Sequence, residues 1–512
     1  MSSFRLIPLL PMKKLFLAIS FCAAAFAAIA QTSFSQRPKL VVGIVVDQMR
    51  WDYLSRYYDQ FSETGFRRMI DNGYSCNNCL INYAPTVTAI GHTSAYTGTT
   101  PAFHGICGNN FYIDGRKTYC CSDSTVQTVG SKGTKGQMSP RNMLSTTIGD
   151  QLRMHTDFRA RVIGVSYKDR AAILPAGHSA NAAYWLDANN SCFISSTYYM
   201  DELPDWVQEV NRTLSENEDV RAAGKDIGLT ALCGTITTDM AIAAIEHEFL
   251  GQGAETDMLC VSYSQTDVIG HRWGTRGEHT DEAYLALDND LSRLFDVMDS
   301  YIGIENCLVF LTADHGAIHN RDFLRSHNLP AGDWENPGML NQIEAFLRGK
   351  FGTTRPLIAS EYDYRFFLDR AAIAAQSLDY QQVKATIVEY VRTLPGVSYV
   401  IDYETAATQA LPPLLRDRAL MGYHPRRSGD ILVVCDAGTY TAASWMGTQG
   451  TTHGEWNPYD AHIPLLFYGW HVSHGATSRE VHITDIAPTI CQLLHIQQPS
   501  ACVGEPITEV TR

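Results

Sequence analysis

The sequence predicts an α/β fold: a three-layer α/β/α sandwich with a central, mostly parallel sheet and inserted subdomains. Its strand candidates are continuous apolar runs rather than alternating ones, which is typical of strands buried on both faces. Segments with helical periodicity lie between these runs, and a chain with 45% hydrophobic and 18% charged residues can supply a large core. The core strands are expected at residues 40–46, 161–167, 257–263, 307–312, 430–435 and 463–468.

The helices are predicted from apolar residues that recur every three or four positions. The clearest case is residues 280–301, with apolar side chains at 284, 287, 291, 294, 295 and 298. Residues 235–250 form another such segment, which ends at Gly251. Further helices are expected at residues 48–58, 62–71, 380–392 and 484–494, and another strand near residues 398–401.

The first 30 residues have the pattern of a secretory signal peptide. Met12 and two lysines precede an apolar run at residues 15–27, and small residues lead to a cleavage site near Ala30. The run is shorter than the ~20 residues that a membrane span needs, which argues against a membrane anchor. No later segment is a long uncharged apolar run, so we expect no transmembrane segment after cleavage. The prediction is a periplasmic or secreted protein whose start is Met1 or Met12.

Residues 31–512 are predicted to form one domain with insertions near 178–230 and 317–430. The first insertion is rich in aromatic residues, and the second interrupts the alternation of strands and helices. The formal net charge of -14 argues against a nucleic-acid-binding surface, because nonspecific binding to a phosphate backbone needs extended positive potential. An anionic small-molecule partner must therefore be attracted locally.

Acidic and histidine residues follow several of the predicted strands. Ligands of open α/β sheets bind beyond the carboxyl ends of the strands, so these positions are candidates for a site. Each residue alone also has an ordinary interpretation, such as a turn or helix-capping aspartate or a solvated loop histidine. Together, their oxygen and nitrogen atoms form a ligand set that suits Zn²⁺. The residues are Asp47, Asp267, His271, Asp314, His315 and His453.

Three further segments carry groups that suit an anionic substrate. Thr88 lies where an apolar run breaks at Pro85 and helix-compatible residues begin, so its hydroxyl is either a helix cap or a nucleophile at an anion-binding helix start. Asn109, in a glycine-rich loop, is either a turn former or an amide donor to a phosphoryl oxygen. Lys168 and Arg170 follow the strand at residues 161–167. If the chain is extended there, both side chains would point to one side and could bind a dianion together. The alternative is a solvated turn.

The order of these motifs resembles the alkaline phosphatase superfamily. The resemblance covers residues 39–495 and is closest to the bacterial phosphate-irrepressible alkaline phosphatases, which are related to the nucleotide pyrophosphatase/phosphodiesterases. A sulfatase is not indicated, because the Cys/Ser-x-Pro-x-Arg motif of that branch is absent around Thr88. The motifs are Val-Val-Asp47, Pro-Thr-Val-Thr88, His104-Gly-Ile with Asn109, Lys168-Asp-Arg170, Thr-Asp267 with Gly-His271, Ala-Asp314-His315-Gly and Thr-His453-Gly.

The resemblance implies an exported alkaline phosphatase whose catalytic domain is residues 31–512. Two zinc ions per chain are implied, and the family assigns three side chains to each. Thr88 would bridge to the second ion and form a phosphothreonine intermediate, and Asn109, Lys168 and Arg170 would bind the substrate's non-bridging oxygens. The implied ligands are Asp267, His271 and His453 for one ion and Asp47, Asp314 and His315 for the other.

The implied reaction is hydrolysis of small phosphate monoesters with release of inorganic phosphate. A phosphodiesterase or nucleotide pyrophosphatase of the same superfamily is the first alternative, although two cations on one phosphoryl group favour a monoester. An inactive phosphate-binding protein is the second alternative. The sequence leaves the physiological ester, the oligomeric state and the disulfide connectivity open.

Overall fold

The computed structural model describes residues 37–113, 115–334, 336–441 and 446–510. The predicted signal peptide lies outside the described residues. Almost all of the described residues belong to one compact unit, Lys39–Arg512.

The strands follow one another along the chain as short segments. They are β1 (Leu40–Val46), β2 (Tyr74–Cys76), β3 (Cys79–Leu80), β4 (Asn110–Ile113), β5 (Arg116–Tyr119), β6 (Thr128–Val129), β7 (Val162–Ser166), β8 (Ala182–Asp187), β9 (Cys192–Ser196), β10 (Asp257–Tyr263), β11 (Cys307–Thr312), β12 (Gly332–Asp333), β13 (Ile358–Tyr362), β14 (Arg365–Leu368), β15 (Val397–Asp402), β16 (Ile431–Cys435), β17 (Thr439–Tyr440), β18 (His462–Ile463), β19 (Leu465–Gly469), β20 (Gly475–Thr477) and β21 (Val481–His482).

The helices lie between and around these strands. They are α1 (Tyr53–Arg56), α2 (Phe66–Asn72), α3 (Thr88–Thr97), α4 (Pro101–His104), α5 (Ile148–His155), α6 (Asp169–Ala176), α7 (Asp205–Glu216), α8 (Glu218–Ala223), α9 (Leu232–His247), α10 (Gln265–Trp273), α11 (Glu278–Tyr301), α12 (Arg321–Ser326), α13 (Asn336–Phe351), α14 (Arg370–Ala375), α15 (Tyr380–Val391), α16 (Pro413–Met421), α17 (Pro458–Ala461) and α18 (Ile486–Leu493).

A central sheet organises the fold, with helices on both sides. In the described part of the chain it has ten strands in the order β20-β2-β19-β11-β1-β10-β7-β8-β9-β6. Its middle strands, β11, β1, β10, β7 and β8, run parallel. Every residue of β1, β10 and β11 is buried, as expected for parallel strands covered on both faces. The predicted α/β fold with a central, mostly parallel sheet is confirmed.

The register of the three middle strands determines where the following loops start. Val46, the last residue of β1, is opposite Tyr263, the last residue of β10. Val45 is opposite Thr312, the last residue of β11. The chain therefore leaves all three strands at the same edge of the sheet, within one residue of the same level.

One strand prediction was wrong in its placement. The run at residues 430–435 was expected to continue the central sheet, but β16 belongs to a separate four-stranded sheet with the order β13-β14-β16-β15. All its pairings are antiparallel, and it packs with α13 and α15 around a core of its own. A continuous apolar run predicts a buried strand but does not identify the sheet that it joins.

Other elements differ from the predictions in extent. The expected helix at residues 48–58 is only the single turn α1, preceded by Gln48, which has a positive φ of 65°. Strands β8 and β9 lie within residues 178–230 and extend the central sheet beyond β7. The side chains of Tyr184 and Trp185 on β8 are buried.

No single helix among the described residues is long and apolar enough to cross a membrane. One helical pair, residues 218–229 and 232–247, meets the length and composition criteria only when taken together, and it is bent by 102°.

Gly43 in the middle of β1 provides a test of core packing. A Cβ atom there would lie 2.2 Å from the Tyr96 hydroxyl and 2.5 Å from the Phe310 ring. We expect Gly43→Ala to lower the free energy of unfolding by about 1–3 kcal/mol, because overpacking forces neighbouring side chains to shift. Gly349→Ala is the matched control: its Cβ would meet nothing within 4 Å in helix α13, so it should stabilise by up to about 1 kcal/mol. Denaturant titration measures both, and equal effects would contradict this packing.

Candidate active site

Three aspartates lie at the edge of the sheet where β1, β10 and β11 end. Asp47 directly follows β1, Asp314 comes two residues after β11, and Asp267 lies in the first turn of α10. Their exposed fractions are 0%, 1% and 3%. The common register of the strands therefore gathers three buried carboxylates, of which Asp47 is more than two hundred residues from the other two in sequence.

Three histidines surround these carboxylates, and each donates its Nδ1 proton to a backbone carbonyl. The distances are 2.8 Å from His271 to Thr451 O, 3.0 Å from His315 to Gly316 O and 2.7 Å from His453 to Thr86 O. Because a carbonyl oxygen can only accept, each neutral ring keeps a lone pair on Nε2. A neutral histidine with a lone pair on Nε2 is the form that binds a metal, and all three rings are in this form.

The side chains form two overlapping groups that can hold a metal ion. Within each group the ligand atoms all lie within 4.8 Å of one another. His315 Nε2 also lies 3.4 Å from Asp314 Oδ2, so the second group adjoins Asp314. The groups are Asp267, His271 and His453, and Asp47, Asp267 and His315.

The charges of this centre do not balance by themselves. Lys168 Nζ lies 2.7 Å from Asp47 Oδ2 and 2.5 Å from Asp267 Oδ2, so one ammonium faces three carboxylates. Burial raises the pKa of Asp47 well above its usual value, and the charges of Asp267 and Asp314 raise it further. Burial lowers the pKa of His315 and His453, which keeps both rings neutral. A cationic group would relieve this repulsion.

Thr88 begins helix α3 beside this centre. Its hydroxyl lies 3.5 Å from His315 Nε2, and the residue is 1% exposed. Val87, the residue before the helix, makes no side-chain cap, and Thr88 is not the capping residue. The Thr88 hydroxyl is thus held at the positive end of a helix dipole, next to potential metal ligands.

Asn109 lies against the same helix start. Its side-chain oxygen accepts a hydrogen bond of 3.1 Å from the backbone N–H of Ala89. This bond orients the side chain so that its NH₂ group is the end that remains for a ligand. No sequence motif predicts this contact between Asn109 and the residue after Thr88.

Lys168 and Arg170 do not lie on one extended segment as expected. Lys168 is the extended residue before helix α6, whereas Arg170 lies inside its first turn. Arg170 Nη1 donates to the Tyr119 hydroxyl at 3.2 Å, and that hydroxyl donates to Asp169 Oδ1 at 2.5 Å. Burial lowers the pKa of Lys168, but Asp267 and Asp47 raise it above its ordinary value, so the ammonium remains charged.

Two residues that the sequence interpretation missed support the centre. Gln48 donates its backbone N–H to Asp314 Oδ1 at 3.1 Å and its side-chain amide to Asp267 Oδ1 at 2.7 Å. His92 Nδ1 lies 2.9 Å from Thr88 O and 3.2 Å from Asp314 Oδ2. The only sequence signal was that His92 follows Thr88 by four positions, one helical turn.

Comparison with known proteins identifies the family to which this site belongs. Residues 41–460 match the family described as type I phosphodiesterase / nucleotide pyrophosphatase. The chain belongs to this family. The predicted membership in the alkaline phosphatase superfamily is therefore confirmed.

Three relatives match this chain over nearly its whole length. Alkaline phosphatase PafA from Elizabethkingia meningoseptica is 42% identical, with 94% of this chain and 96% of the relative covered. Alkaline phosphatase PhoV from Synechococcus elongatus is 40% identical, with 97% and 98% covered. A Myroides odoratus protein named calcium-transporting ATPase is also 40% identical, with 95% and 97% covered. The prediction of an enzyme of the alkaline phosphatase type is confirmed by the first two.

A solved crystal structure has the same fold as this chain. The crystal structure of wild-type alkaline phosphatase PafA superposes with a TM-score of 0.89 at 41% identity, covering 93% of this chain and 99% of that chain. A murine ectonucleotide pyrophosphatase / phosphodiesterase 5 is 15% identical with a TM-score of 0.55, so that similarity concerns the fold alone.

Proposed function

We propose that this chain is an exported, zinc-dependent phosphate-monoester hydrolase that works through a phosphothreonine intermediate and releases inorganic phosphate. The observation that carries the proposal is the convergence of the Thr88 hydroxyl, His315 and the three buried carboxylates at one edge of the sheet. The alkaline phosphatases among the relatives support the same class of reaction.

The residues present fit two zinc ions per chain. Asp47 Oδ1 and Asp314 Oδ2 are buried and accept no hydrogen bond from the described residues. Buried polar atoms normally have a partner, and a bound cation would supply one here. The three histidine Nε2 lone pairs favour zinc over magnesium, which prefers oxygen ligands. A pair of bound zinc ions would supply positive charge to the attacking and leaving oxygens. We assign Asp267, His271 and His453 to one ion, and Asp47, Asp314, His315 and the Thr88 hydroxyl to the other.

Thr88 would act as the nucleophile. Its Oγ1 forms a bond to phosphorus while the bond from phosphorus to the ester oxygen breaks, which leaves an alcohol and a phosphothreonine. Water then hydrolyses the phosphothreonine, releases inorganic phosphate and restores the hydroxyl. The positive end of the helix α3 dipole would favour the phosphoryl charge, and the Asn109 amide, which the Ala89 N–H orients, would donate to one phosphoryl oxygen.

Lys168 and Arg170 would bind the negatively charged non-bridging oxygens of a phosphate monoester. A monoester carries a terminal dianion, whereas a diester has one charge and an alkyl group in place of an oxygen. Arg170 supplies a planar fork of N–H donors and Lys168 a compact ammonium. To contact a phosphoryl group, the Lys168 ammonium would have to break its ion pairs with Asp47 and Asp267. Bound metal would then neutralise these two carboxylates.

The compartment and domain boundaries remain predictions. Export to the periplasm or the medium depends on residues 1–30, which lie outside the described residues. The catalytic domain is predicted as residues 31–512, with insertions near 178–230 and 317–430. We propose small phosphate esters as substrates, and the acidic net charge of -14 remains an argument against a nucleic-acid surface.

Thr88→Ala is expected to abolish the covalent phosphoenzyme and to lower monoester turnover by at least about 10³-fold, because the nucleophile is lost. Acid quenching with ³²P-labelled substrate, followed by peptide mapping, measures the intermediate. Thr93→Ala is the matched control: Thr93 is buried in the same helix, and its hydroxyl donates only to Ala89 O. Label retained by Thr88→Ala on another residue would contradict the assignment.

Chelation is expected to remove activity, and zinc is expected to restore it faster than magnesium. His453→Ala should lower zinc affinity by at least about 10-fold, because it removes a ligand of the first group. Metal content after dialysis, measured by mass spectrometry, tests both statements. His319→Ala is the control, since the His319 ring bonds to the Thr275 hydroxyl and belongs to neither metal group. Full reactivation by magnesium alone would argue against zinc.

Replacing both Lys168 and Arg170 by Ala is expected to reduce monoester kcat/KM steeply and to leave diester hydrolysis nearly unchanged. Loss of one oxyanion donor typically costs roughly 10²–10³ in rate, and two donors on one ligand should not act additively. Matched monoester and diester substrates of the same leaving group measure the ratio. Zinc content must be measured in parallel, because Lys168 also contacts Asp47 and Asp267. Equal losses for both substrates would favour the phosphodiesterase alternative.

A further inference from the structure

Thr86 joins the segment before Thr88 to the loop that carries His453. Its backbone carbonyl accepts the Nδ1 proton of His453 at 2.7 Å. Its hydroxyl donates to the backbone carbonyl of Glu455 at 2.8 Å. One residue thus contacts this loop at two positions, 367 and 369 residues further along the chain. Because Thr88 follows Thr86 by two residues, these bonds connect the proposed nucleophile to a proposed zinc ligand.

The hydroxyl bond of Thr86 is shielded from water. Thr86 is 0% exposed, and Glu455 is buried beside it. A buried carbonyl that loses its donor receives no compensation from solvent, and such an unpaired group costs more free energy than the bond contributed. Loss of the Thr86 hydroxyl would therefore favour a shift of one of the two backbone segments.

Asp460 holds the other side of the same loop. Its buried carboxylate accepts from the backbone N–H of Glu455 at 2.8 Å, so Glu455 is held through its N–H by Asp460 and through its carbonyl by Thr86. The backbone carbonyl of Asp460 accepts from Gly316 N–H at 2.7 Å, and Gly316 is the residue whose carbonyl orients His315. The loop at Glu455 is therefore a fixed support, against which the Thr86 hydroxyl can position its own backbone.

The Thr86 carbonyl determines the direction of the His453 ring. With Nδ1 held there, Nε2 lies 3.6 Å from Asp267 Oδ1. The ring also stacks on His315, with centroids 3.5 Å apart and planes 16° from parallel. A shift of the Thr86 carbonyl would turn the His453 ring and move Nε2 away from Asp267. Partners that orient a metal-binding histidine typically change metal affinity by about 10- to 100-fold.

We propose that the Thr86 hydroxyl is a positioning group of the zinc site: by its bond to Glu455 O it holds the carbonyl that orients His453, and so fixes this ligand relative to Thr88. The inference rests on the proposed function, in which His453 binds zinc and Thr88 is the nucleophile. Thr86 itself is assigned no contact with metal or substrate.

The first test is Thr86→Val, with zinc affinity measured on the metal-free protein by competition with a chromophoric chelator. Valine keeps the β-branched shape of threonine and removes the donor. We expect zinc affinity to fall by about 10- to 100-fold. Zinc binding as tight as in the wild type would overturn the proposal.

Two further substitutions at residue 86 separate the hydroxyl from the shape of the side chain. Thr86→Ser keeps the donor and is expected to retain most of the zinc affinity. Thr86→Ala removes the donor without placing a methyl group against the Glu455 carbonyl, so it serves if Thr86→Val does not fold, and its loss should match that of valine. A loss in Thr86→Ser equal to that in Thr86→Ala would show that the hydroxyl is not the cause, which overturns the proposal.

Thr97→Val is the matched control. Thr97 is also buried, and its hydroxyl donates to a backbone carbonyl, that of Thr93, at 2.8 Å. It lies in helix α3, which Thr88 begins, but it has no bond to a loop that carries a zinc ligand. We expect unchanged zinc affinity, with thermal unfolding of the metal-free proteins measured in parallel. A loss of zinc affinity comparable to that of Thr86→Val would mean that lost stability is the cause, and the proposal would fail.

A double-mutant cycle with His453→Ala gives the decisive readout. If Thr86 acts through His453, then Thr86→Val causes no further loss of zinc affinity in the His453→Ala background. Additive losses would overturn the proposal. If His453→Ala alone leaves zinc affinity unchanged, His453 is not a ligand and the zinc assignment of the proposed function fails as well. If His453→Ala lowers the affinity and Thr86→Val does not, this inference alone fails.

Discussion

The structure depends on the placement of unbalanced negative charge in its interior. Asp47, Asp267 and Asp314 are almost completely buried, and Lys168 is the one ammonium that contacts them among the described residues. Removing an ion from water costs several kcal/mol unless it is paired, so such a cluster destabilises an apoprotein. The surrounding elements limit this cost by donating hydrogen bonds, as the backbone N–H groups of Gln48 and His315 do to Asp314. The same arrangement prepares the site for cations.

The sheet is what brings this charge together. Parallel strands in matched register end at one level, so any residue placed just after them shares one small volume. The histidines come from three separate segments, helix α10 for His271 and loops for His315 and His453, and each is oriented by a carbonyl rather than by a second side chain. Backbone carbonyls are available along the whole chain, which allows a helix and two loops to orient their histidines in the same way, with Nε2 towards the carboxylates.

The strands of the central sheet and the polar residues that follow them could be predicted from the sequence, because both depend on local patterns. Continuous apolar runs indicated β1, β7, β10 and β11, and the polar residues after them indicated the edge of the sheet. Neither the partner sheet of β16 nor the helical position of Arg170 could be predicted, because both depend on tertiary contacts. Gln48 and His92 were missed because both contact Asp314 through the fold, Gln48 across 266 residues, and no motif links them to it.

The two sheets contribute different parts of this arrangement. The three buried carboxylates, His271 and His315 follow strands of the central sheet, whereas Thr88 follows β3 and His453 follows β17, which belong to two smaller sheets. The four-stranded sheet has its own core and reaches the Asn109 loop through Arg365 in the hairpin β13–β14. A change in that hairpin can alter the contact with the Cys107 carbonyl, two residues before Asn109, because this contact is made by Arg365 alone. The four-stranded sheet and the central sheet have separate cores, so the position of the Asn109 loop can vary independently of the packing beneath Asp47.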